Sequence, residues 1–374
     1  MLQYRPSWWD QSVLLKPFDF AVLGAGLIGK QIAIKLKQKY PKARVAMLDR
    51  LPIPYGASTR NAGFACFGSV TEILDDLSHT NSTEVFNTLH KRQRGIQQLV
   101  KEFGADAIGF SPTGSYELFY DEQGFEMASQ AMPSINQMIK EVTGVQSVFE
   151  PVSTTDLRTG FYTKGLFNPH EGMLNSGKLN QTITEKALSI GVIPMFGFDV
   201  ERIDANDQGY EILASNQMQL QCQQLIIANN AFAAQFLPEE DIQAARGQIL
   251  LTKPIPDLHL KAIYHIDQGY YYFRCLDNRI LLGGGRQHFR TAETTFGFEG
   301  SEEVRNHLLQ YLSTYILPGQ AFEIETAWSG IMAMGKEKLP IVKTINSHLS
   351  CCVRMSGMGV ALGPVLSDEV VSWY

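Results

Sequence analysis

No two cysteines of this sequence stand in a C-x-x-C spacing; the five are Cys66, Cys222, Cys275, Cys351 and Cys352. That excludes a zinc site evident from sequence, and such cysteine usage points to a reducing, cytoplasmic setting. Cys351 and Cys352 are adjacent in LSCCVRM, which reads as a strand, so they read as buried structural thiols rather than a redox pair. Long apolar runs are missing too. None approaches the ~20 residues needed to cross a bilayer, so no transmembrane segment is expected. The N-terminal stretch MLQYRPSWWDQSVLLKPF has no long apolar core and no small-residue cleavage site, and is not expected to be a secretory signal. Charge of one sign is sparse. With 32 Lys and Arg against 38 Asp and Glu, the net charge is −6 and no dense basic stripe exists, so nucleic acid is not an expected partner. The most basic stretch, KQKYPKAR (37–44), reads as a helix end and its connection. Internal repeats and low-complexity segments are also absent.

What is present suits a globular chain of two domains: 374 residues, 44% of them hydrophobic and 19% charged. FDFAVLGAGLIGK (19–31) predicts a strand over 19–23, a tight turn over 24–29 and a helix to about 39, with a second, parallel strand over 44–49. Spaced apolar residues predict a long helix over 82–103, and KLNQTITEKALSIGV (178–192) predicts an amphipathic helix stopped by Gly191. SYELFY, FDVERI, GYEILA and QLIIANNA read as strands, the last an apolar run suited to a buried parallel position. GQILLTKPI, GYYYFRCL and NRILLGGG read as antiparallel strands. A helix over 301–316, capped at Ser301, precedes three further strands and a closing helix that runs toward Val371.

The expected architecture is α/β. A discontinuous Rossmann-like dinucleotide-binding domain (17–85, 151–234 and 326–374) carries an inserted antiparallel-sheet α+β domain (86–150 and 235–325). Gly24, Gly26 and Gly29 have the G-x-G-x-x-G spacing. The first allows the turn, the second lets phosphates approach the backbone, and the third lets helix and strand pack closely. Asp49, twenty residues past Gly29, can accept bonds from a ribose and disfavours a 2′-phosphate, which argues against NADP. The turn alone does not separate NAD from FAD. Two later stretches favour FAD. GASTRNAGFACFGS (56–69) offers small residues beside Arg60 and Asn61, where a bulky flat ring system would reach. RMSGMGVALGP (354–364) is a second glycine-rich turn opening a helix, whose amides suit negative charge on a reduced flavin.

These stretches, in this order, resemble the FAD-dependent oxidoreductases of the D-amino-acid oxidase family, which includes glycine oxidase, sarcosine oxidase and γ-glutamylputrescine oxidase-like enzymes. The likeness covers nearly the whole chain. GAGLIG with Asp49 is similar to the family's FAD turn, implying contacts from Gly24, Gly26, Leu27, Ile28, Gly29, Asp49 and Arg50. ASTRNAG is similar to its flavin loop, implying Ser58, Thr59, Arg60, Asn61, Ala62 and Gly63. The segment ending in FDVERI implies Val200 at the adenine, and QLIIANNAFA implies Ala228 and Asn229, the latter replacing a common glycine. AWSGIMAMGKEKLP resembles the return strand, with Gly330 near the cofactor. SGMGVALGP resembles the closing flavin turn, implying Ser356, Gly357, Met358, Gly359, Val360 and Ala361. PSWW together with YYFR and RILLGGG most resembles the γ-glutamylputrescine oxidase-like branch.

The resemblance implies oxidation of a C–N bond in a small amine or amino acid by hydride transfer to flavin N5, followed by imine hydrolysis. The flavin drives this chemistry, so no dedicated catalytic residue and no metal are expected. Tyr271, Arg274 and Met332 are the implied substrate-side residues. Met332 stands where amino-acid oxidases of the family carry a carboxylate-binding arginine, and a thioether cannot make that bidentate bond. Arg274 and Arg286 are candidate replacements. No cysteine stands near Ile331, where sarcosine oxidases attach flavin, so FAD is expected to be noncovalent. Leu281 is near the place of their oxygen-activating lysine, which leaves O2 or another acceptor open. The alternatives are an FAD dehydrogenase using a different acceptor, an FAD-binding module without turnover and, more remotely, an NAD dehydrogenase. His265 and His288 read as packed or solvated. His170–Glu171 is not a metal-ligand spacing and reads as a loop.

Overall fold

The computed structural model describes residues 4–53 and 55–374; the first three residues of the N-terminal stretch lie outside the described residues. The chain divides into two compact units. One comprises residues up to Thr59, Gly177–Ala244 and Met332–Tyr374; the other comprises Arg60–Ser176 and Ala245–Ile331. Residues 60–85 and 151–176, read in the sequence with the nucleotide-binding segments, cluster with the second unit. The cause is pairing: Lys164–Asn168 joins the second unit's sheet, and Phe64–Ala65 pairs with Gly172–Met173.

In the first unit, strand Phe18–Leu23 lies at the centre of a sheet ordered Ile341–Asn346, Leu349–Val353, Gln219–Ile227, Phe18–Leu23, Val45–Asp49, Ile193–Phe196. All neighbours from Leu349–Val353 to Ile193–Phe196 are parallel, and Ile341–Asn346 closes one edge antiparallel. A hairpin, Val200–Asn206 and Gly209–Ala214, pairs antiparallel with the first half of Gln219–Ile227. That strand therefore changes character along its length. Burial alternates through Gln224, then runs unbroken through Leu225, Ile226 and Ile227 where parallel neighbours flank both sides. Helix Leu27–Lys39 follows the glycine turn and packs on the closing helix Gly359–Ser372. A Cβ at Gly363 would come within 2.8 Å of Gln31 Nε2, so a small residue there sets the helix separation. Helix Ser176–Ser189 ends ahead of Gly191, whose φ of +87° takes the left-handed turn.

The second unit is built on a sheet ordered Ile324–Met334, Gln243–Thr252, Arg279–Gly284, Tyr271–Leu276, Ile263–Ile266, Ser115–Leu118, Lys164–Asn168, Glu150–Ser153. It departs from the expected antiparallel sheet where Ile263–Ile266 pairs with Ser115–Leu118, which is parallel. Period-two alternation gives the sheet two faces. Tyr271, Phe273, Leu250 and Leu282 pack with Val304, Leu308 and Tyr311 of helix Glu302–Tyr311. Ile249, Leu251 and Leu281 form a separate apolar cluster with Ala62, flanked by Phe64, Tyr272, Leu276 and Trp328. Helix Ser82–Phe103 matches its predicted bounds and is capped by Asn81, whose side chain accepts from the Glu84 amide at 3.0 Å. Helix Glu122–Thr143 has no counterpart among the sequence expectations; Gly124 and Pro133 break its pattern, yet Asp121 caps it and Gly144 ends it. Cys351 and Cys352 are buried free thiols in Leu349–Val353, and burial pushes Cys351 up to about 11.

Candidate functional site

The glycine turn of the first unit is shaped by what its residues lack. Gly24 has φ +109°, and a Cβ there would strike the Ala228 carbonyl at 2.6 Å. A Cβ on Gly29 would lie 1.8 Å from the Gly24 carbonyl oxygen, so helix and strand approach only because Gly29 has none. Asp49 holds the turn from beneath. Its Oδ2 accepts the Ala25 amide at 3.0 Å, and its Oδ1 accepts the Leu51 amide at 3.3 Å. An ionised carboxylate has about four acceptor sites, so two stay available for ribose hydroxyls. Burial pushes the Asp49 carboxyl up, and those amides with Lys30 oppose the rise. Lys30 Nζ donates to Asn180 Oδ1 at 2.6 Å, and burial brings its ammonium down to about 8. Ser58 Oγ accepts the Leu27 amide at 2.8 Å, and Thr59 turns back on the Gly56 carbonyl. Arg50 lies 3.9 Å over the Phe232 ring. Leu27, Ile28, Val200 and Ala228 are buried around the turn and the ends of its strands.

The closing turn is the second feature of this unit. Arg354, with φ +57°, donates through Nε to the Leu339 carbonyl and through Nη1 to the Asp241 carbonyl. Ser356 and Gly357 follow with φ of +47° and +86°. The chain then enters helix Gly359–Ser372 with Met358 at its N-cap and no side-chain cap, so the amides of Gly359, Val360 and Ala361 open the helix. Ser356 Oγ and Asn229 Oδ1 are buried without a hydrogen-bond partner. Met332 Sδ lies 3.8 Å from where a Gly357 Cβ would stand. A glycine cradle, a helix start without a cap and two orphaned polar atoms fit a dinucleotide with a ring system that carries carbonyls.

In the second unit, loop 60–71 is held at almost every residue. Arg60 Nε donates to the Ser329 carbonyl, and the Arg60 carbonyl accepts Trp328 Nε1 at 3.1 Å. Asn61 Oδ1 accepts from the Gly63 amide and the Ser176 hydroxyl. Gly63 has φ +72°, and Arg274 Nη1 donates to its carbonyl and to that of Leu174, at 2.9 and 2.8 Å. Farther on, the buried Glu117 carboxylate accepts Ser69 Oγ, the Val70 and Thr71 amides and Thr71 Oγ1, and so caps helix Val70–His79 from a neighbouring strand. Glu171 Oε1 accepts the Phe67 and Gly68 amides, and its Oε2 faces His265 Nε2. Ala62 and Gly330 are buried in this unit.

Two substrate-side candidates have structural partners of their own. Tyr271 is 2% exposed, stacks on Tyr311 with ring centroids 4.0 Å apart, and bonds His307 through its hydroxyl. It is a core residue of the helix-covered face. Tyr272 occupies the other face beside Phe64 and the Leu281 cluster. Arg274 is a loop clamp, because its Nη1 is committed to two main-chain carbonyls; burial lowers its guanidinium to about 10. Arg286 is half-buried with an unpartnered Nε, and burial beside Arg290 lowers it. His265 is buried against Glu171, and His288 is exposed. The mutual approach of Cys66, Glu171 and His265 was not visible in sequence, since their three segments lie far apart in the chain.

Residues 19–373 match the family model described as FAD dependent oxidoreductase. The chain belongs to this family. FAD is therefore its cofactor, and the chain is an oxidoreductase. Among curated proteins, it is 23% identical over 371 residues to the bifunctional protein ThiO/ThiG of Trichormus variabilis, covering 95% of this chain and 52% of that one. The chain thus spans about half the length of that relative. Among solved structures, L-proline dehydrogenase from P. horikoshii shares the fold with TM-score 0.74 at 16% identity, over 96% of this chain and 93% of the other. Iminodiacetate oxidase from Chelativorans sp. BNC1 shares it with TM-score 0.75 at 18% identity, over 94% of each chain. Among the described residues, no helix of this family member is long and apolar enough to cross a membrane.

Proposed function

We propose that this chain oxidises the C–N bond of a small amine or amino acid, the resulting imine then hydrolysing to a carbonyl compound and ammonia or a smaller amine. The names of the structural relatives support this reading, since iminodiacetate and proline each carry a C–H beside an amine nitrogen. FAD, bound noncovalently, supplies the two-electron acceptor. The chain's own residues orient the partners and keep water out. A neutral amine gives up its C–H electrons far more readily than an ammonium, and a dry apolar surface favours the neutral form. Ile249, Leu251 and Leu281, with Tyr272 and Trp328 beside them, offer such a surface in the second unit. In the first unit, the amides of Val360 and Ala361 and the Ser356 hydroxyl are suited to stabilising charge that develops on a carbonyl-bearing ring.

The observation that carries the substrate reading is Met332 against Gly357. An apolar thioether stands where related amino-acid oxidases place an arginine, which favours amines without an anchored carboxylate. A second reading rests on Leu281, which is 3% exposed in an apolar cluster where an oxygen-activating lysine would stand by resemblance. It favours a dehydrogenase that passes electrons to an acceptor other than O2.

The test is the absorbance spectrum of the purified protein before and after acid precipitation, followed by anaerobic addition of amines and amino acids. Release of all the FAD to the supernatant and bleaching by an amine are the expected results. Hydrogen peroxide formed on admitting air selects the oxidase, and its absence selects the dehydrogenase. A flavin that no amine or amino acid bleaches would leave a binding module and sink the proposal.

A further inference from the structure

We propose that Cys66, Glu171 and His265 form a binding site for one divalent transition-metal ion of the zinc class. They are the one such group among the described residues that brings three potential ligand types together. All three side chains are buried, with 7%, 1% and 4% of their residue surfaces exposed. Their ligand atoms lie within 4.8 Å of one another, and His265 Nε2 is 3.2 Å from Glu171 Oε2. A tetrahedral zinc ion with bonds of about 2.0–2.3 Å holds neighbouring ligand atoms about 3.3–3.8 Å apart. The imidazole and carboxylate already stand near that spacing. A small turn of the Cys66 side chain brings in the third ligand.

The surroundings support an ion rather than a plain histidine–carboxylate pair. Glu171 is oriented through its other oxygen, Oε1, which accepts the Phe67 and Gly68 amides at 2.7 and 3.1 Å. Bonding of this kind fixes a ligating carboxylate from behind. Charged groups surround Cys66 and His265. Glu72, Glu117 and Glu171 face them, against Arg92, which bonds Glu72 Oε1 at 3.1 Å. A buried imidazole, carboxylate and thiol brought this close together form a donor set that a divalent ion of this class takes. The ion pair alone also leaves Cys66 without a role. On binding, His265 coordinates as neutral imidazole, Glu171 as carboxylate and Cys66 as thiolate, and the Cys66 proton, with any proton shared by His265 and Glu171, passes to solvent. The three ligands come from loop 60–71, the segment after strand Lys164–Asn168 and strand Ile263–Ile266. The ion would pin the loop that follows the flavin-contacting residues, a structural role that requires no turnover.

The test uses the FAD-loaded full chain, stripped with a chelator and titrated with Co2+, then with Zn2+ in competition. One equivalent of Co2+ per chain is expected, with ligand-field bands to the red of the flavin absorption that Zn2+ abolishes. Cys66→Ser and His265→Gln, both checked for retained FAD, are expected to weaken binding at least tenfold. No bound equivalent in the wild-type chain overturns the proposal, as does an undiminished equivalent in both folded variants. If neither variant folds, anomalous scattering from crystals of the Zn2+-loaded wild type decides. A peak among Cys66, Glu171 and His265 supports the site, and a peak only elsewhere refutes it.

Discussion

Arg274 Nη1 donates to the Gly63 carbonyl at 2.9 Å, so the second unit's sheet grips the loop expected to lie along the flavin. The same nitrogen holds the Leu174 carbonyl, while Gly63 keeps a second donor in the Leu174 amide. Replacing Arg274 by Gln thus orphans chiefly the Leu174 carbonyl, a loss of about 1–3 kcal/mol. We expect Arg274→Gln to lower the melting temperature and to loosen FAD. The KM for an amine lacking a carboxylate should not change. A rise in KM confined to carboxylate-bearing substrates would instead make Arg274 their anchor. Thermal melts with steady-state kinetics on both substrate types check this.

Gly29 and Gly56 form a matched pair for testing the turn. A Cβ on Gly29 would sit 1.8 Å from the Gly24 oxygen, whereas one on Gly56 meets nothing within 4 Å. Gly29→Ala must push the helix off the strand, at about 1–3 kcal/mol or more, and carries its opening amides away from the turn. We expect it to purify without flavin colour. Gly56→Ala should keep full FAD content. The ratio of flavin to protein absorbance reads both.

Local features of this fold were readable because their causes are local. The strand, turn, helix and acid from Phe18 to Asp49 follow from apolar runs, glycine spacing and chain reach alone. Ser301 announces its helix in the same way. Tyr271 and Tyr272 show where that reading stops. In GYYYFRCL the alternation is plain, but which tyrosine faces inward depends on the side of the sheet covered by helix Glu302–Tyr311, and no local pattern encodes that. Glu117 and Glu171 were opaque for a related reason. Each is a lone acid in its own segment, and its meaning comes from amides almost fifty or more than a hundred residues away.

Glu293 and Arg246 provide a pH test. Arg246 Nη2 and Nε contact the two Glu293 oxygens at 2.7 and 2.8 Å, and Ser301 Oγ donates to Oε1 at 3.1 Å. Burial alone would raise the Glu293 carboxyl, but Arg246, Gln248 and Ser301 together outweigh it and hold the group below its ordinary value. A carboxyl lowered in the folded state binds fewer protons there than in the unfolded chain. Its contribution is therefore complete above the unfolded value of 4.5 and is lost as pH falls through the lower folded one. We expect Arg246→Met to cost about 3–5 kcal/mol at pH 7, because it leaves a buried carboxylate without its cation. The difference from wild type should shrink as pH falls below 4.5, since a protonated Glu293 no longer needs the cation. Denaturant melts at several pH values measure it; a gap that stays constant would show that the pair carries no such linkage.

Met332 is the residue on which substrate choice should turn. Its sulfur lies 3.8 Å from the Cβ direction of Gly357, at the turn that opens the closing helix. A thioether there gives a carboxylate nothing, and an unpaired carboxylate against an apolar wall is costly to desolvate. Met332→Leu nearly conserves volume and should alter kcat/KM for amines little. Met332→Arg supplies a planar bidentate donor, and a charge-assisted bond of about 1.5–3 kcal/mol corresponds to roughly 10–100-fold in affinity. We therefore expect Met332→Arg to shift the ratio of kcat/KM toward amino acids over the matching amines by at least tenfold. The comparison must be made within pairs that differ only in the carboxylate, so that size and amine basicity cancel. An unchanged ratio in a variant that keeps its FAD would place the substrate's carboxylate elsewhere. Arg286, with its unpartnered Nε, would then be the next cation to replace.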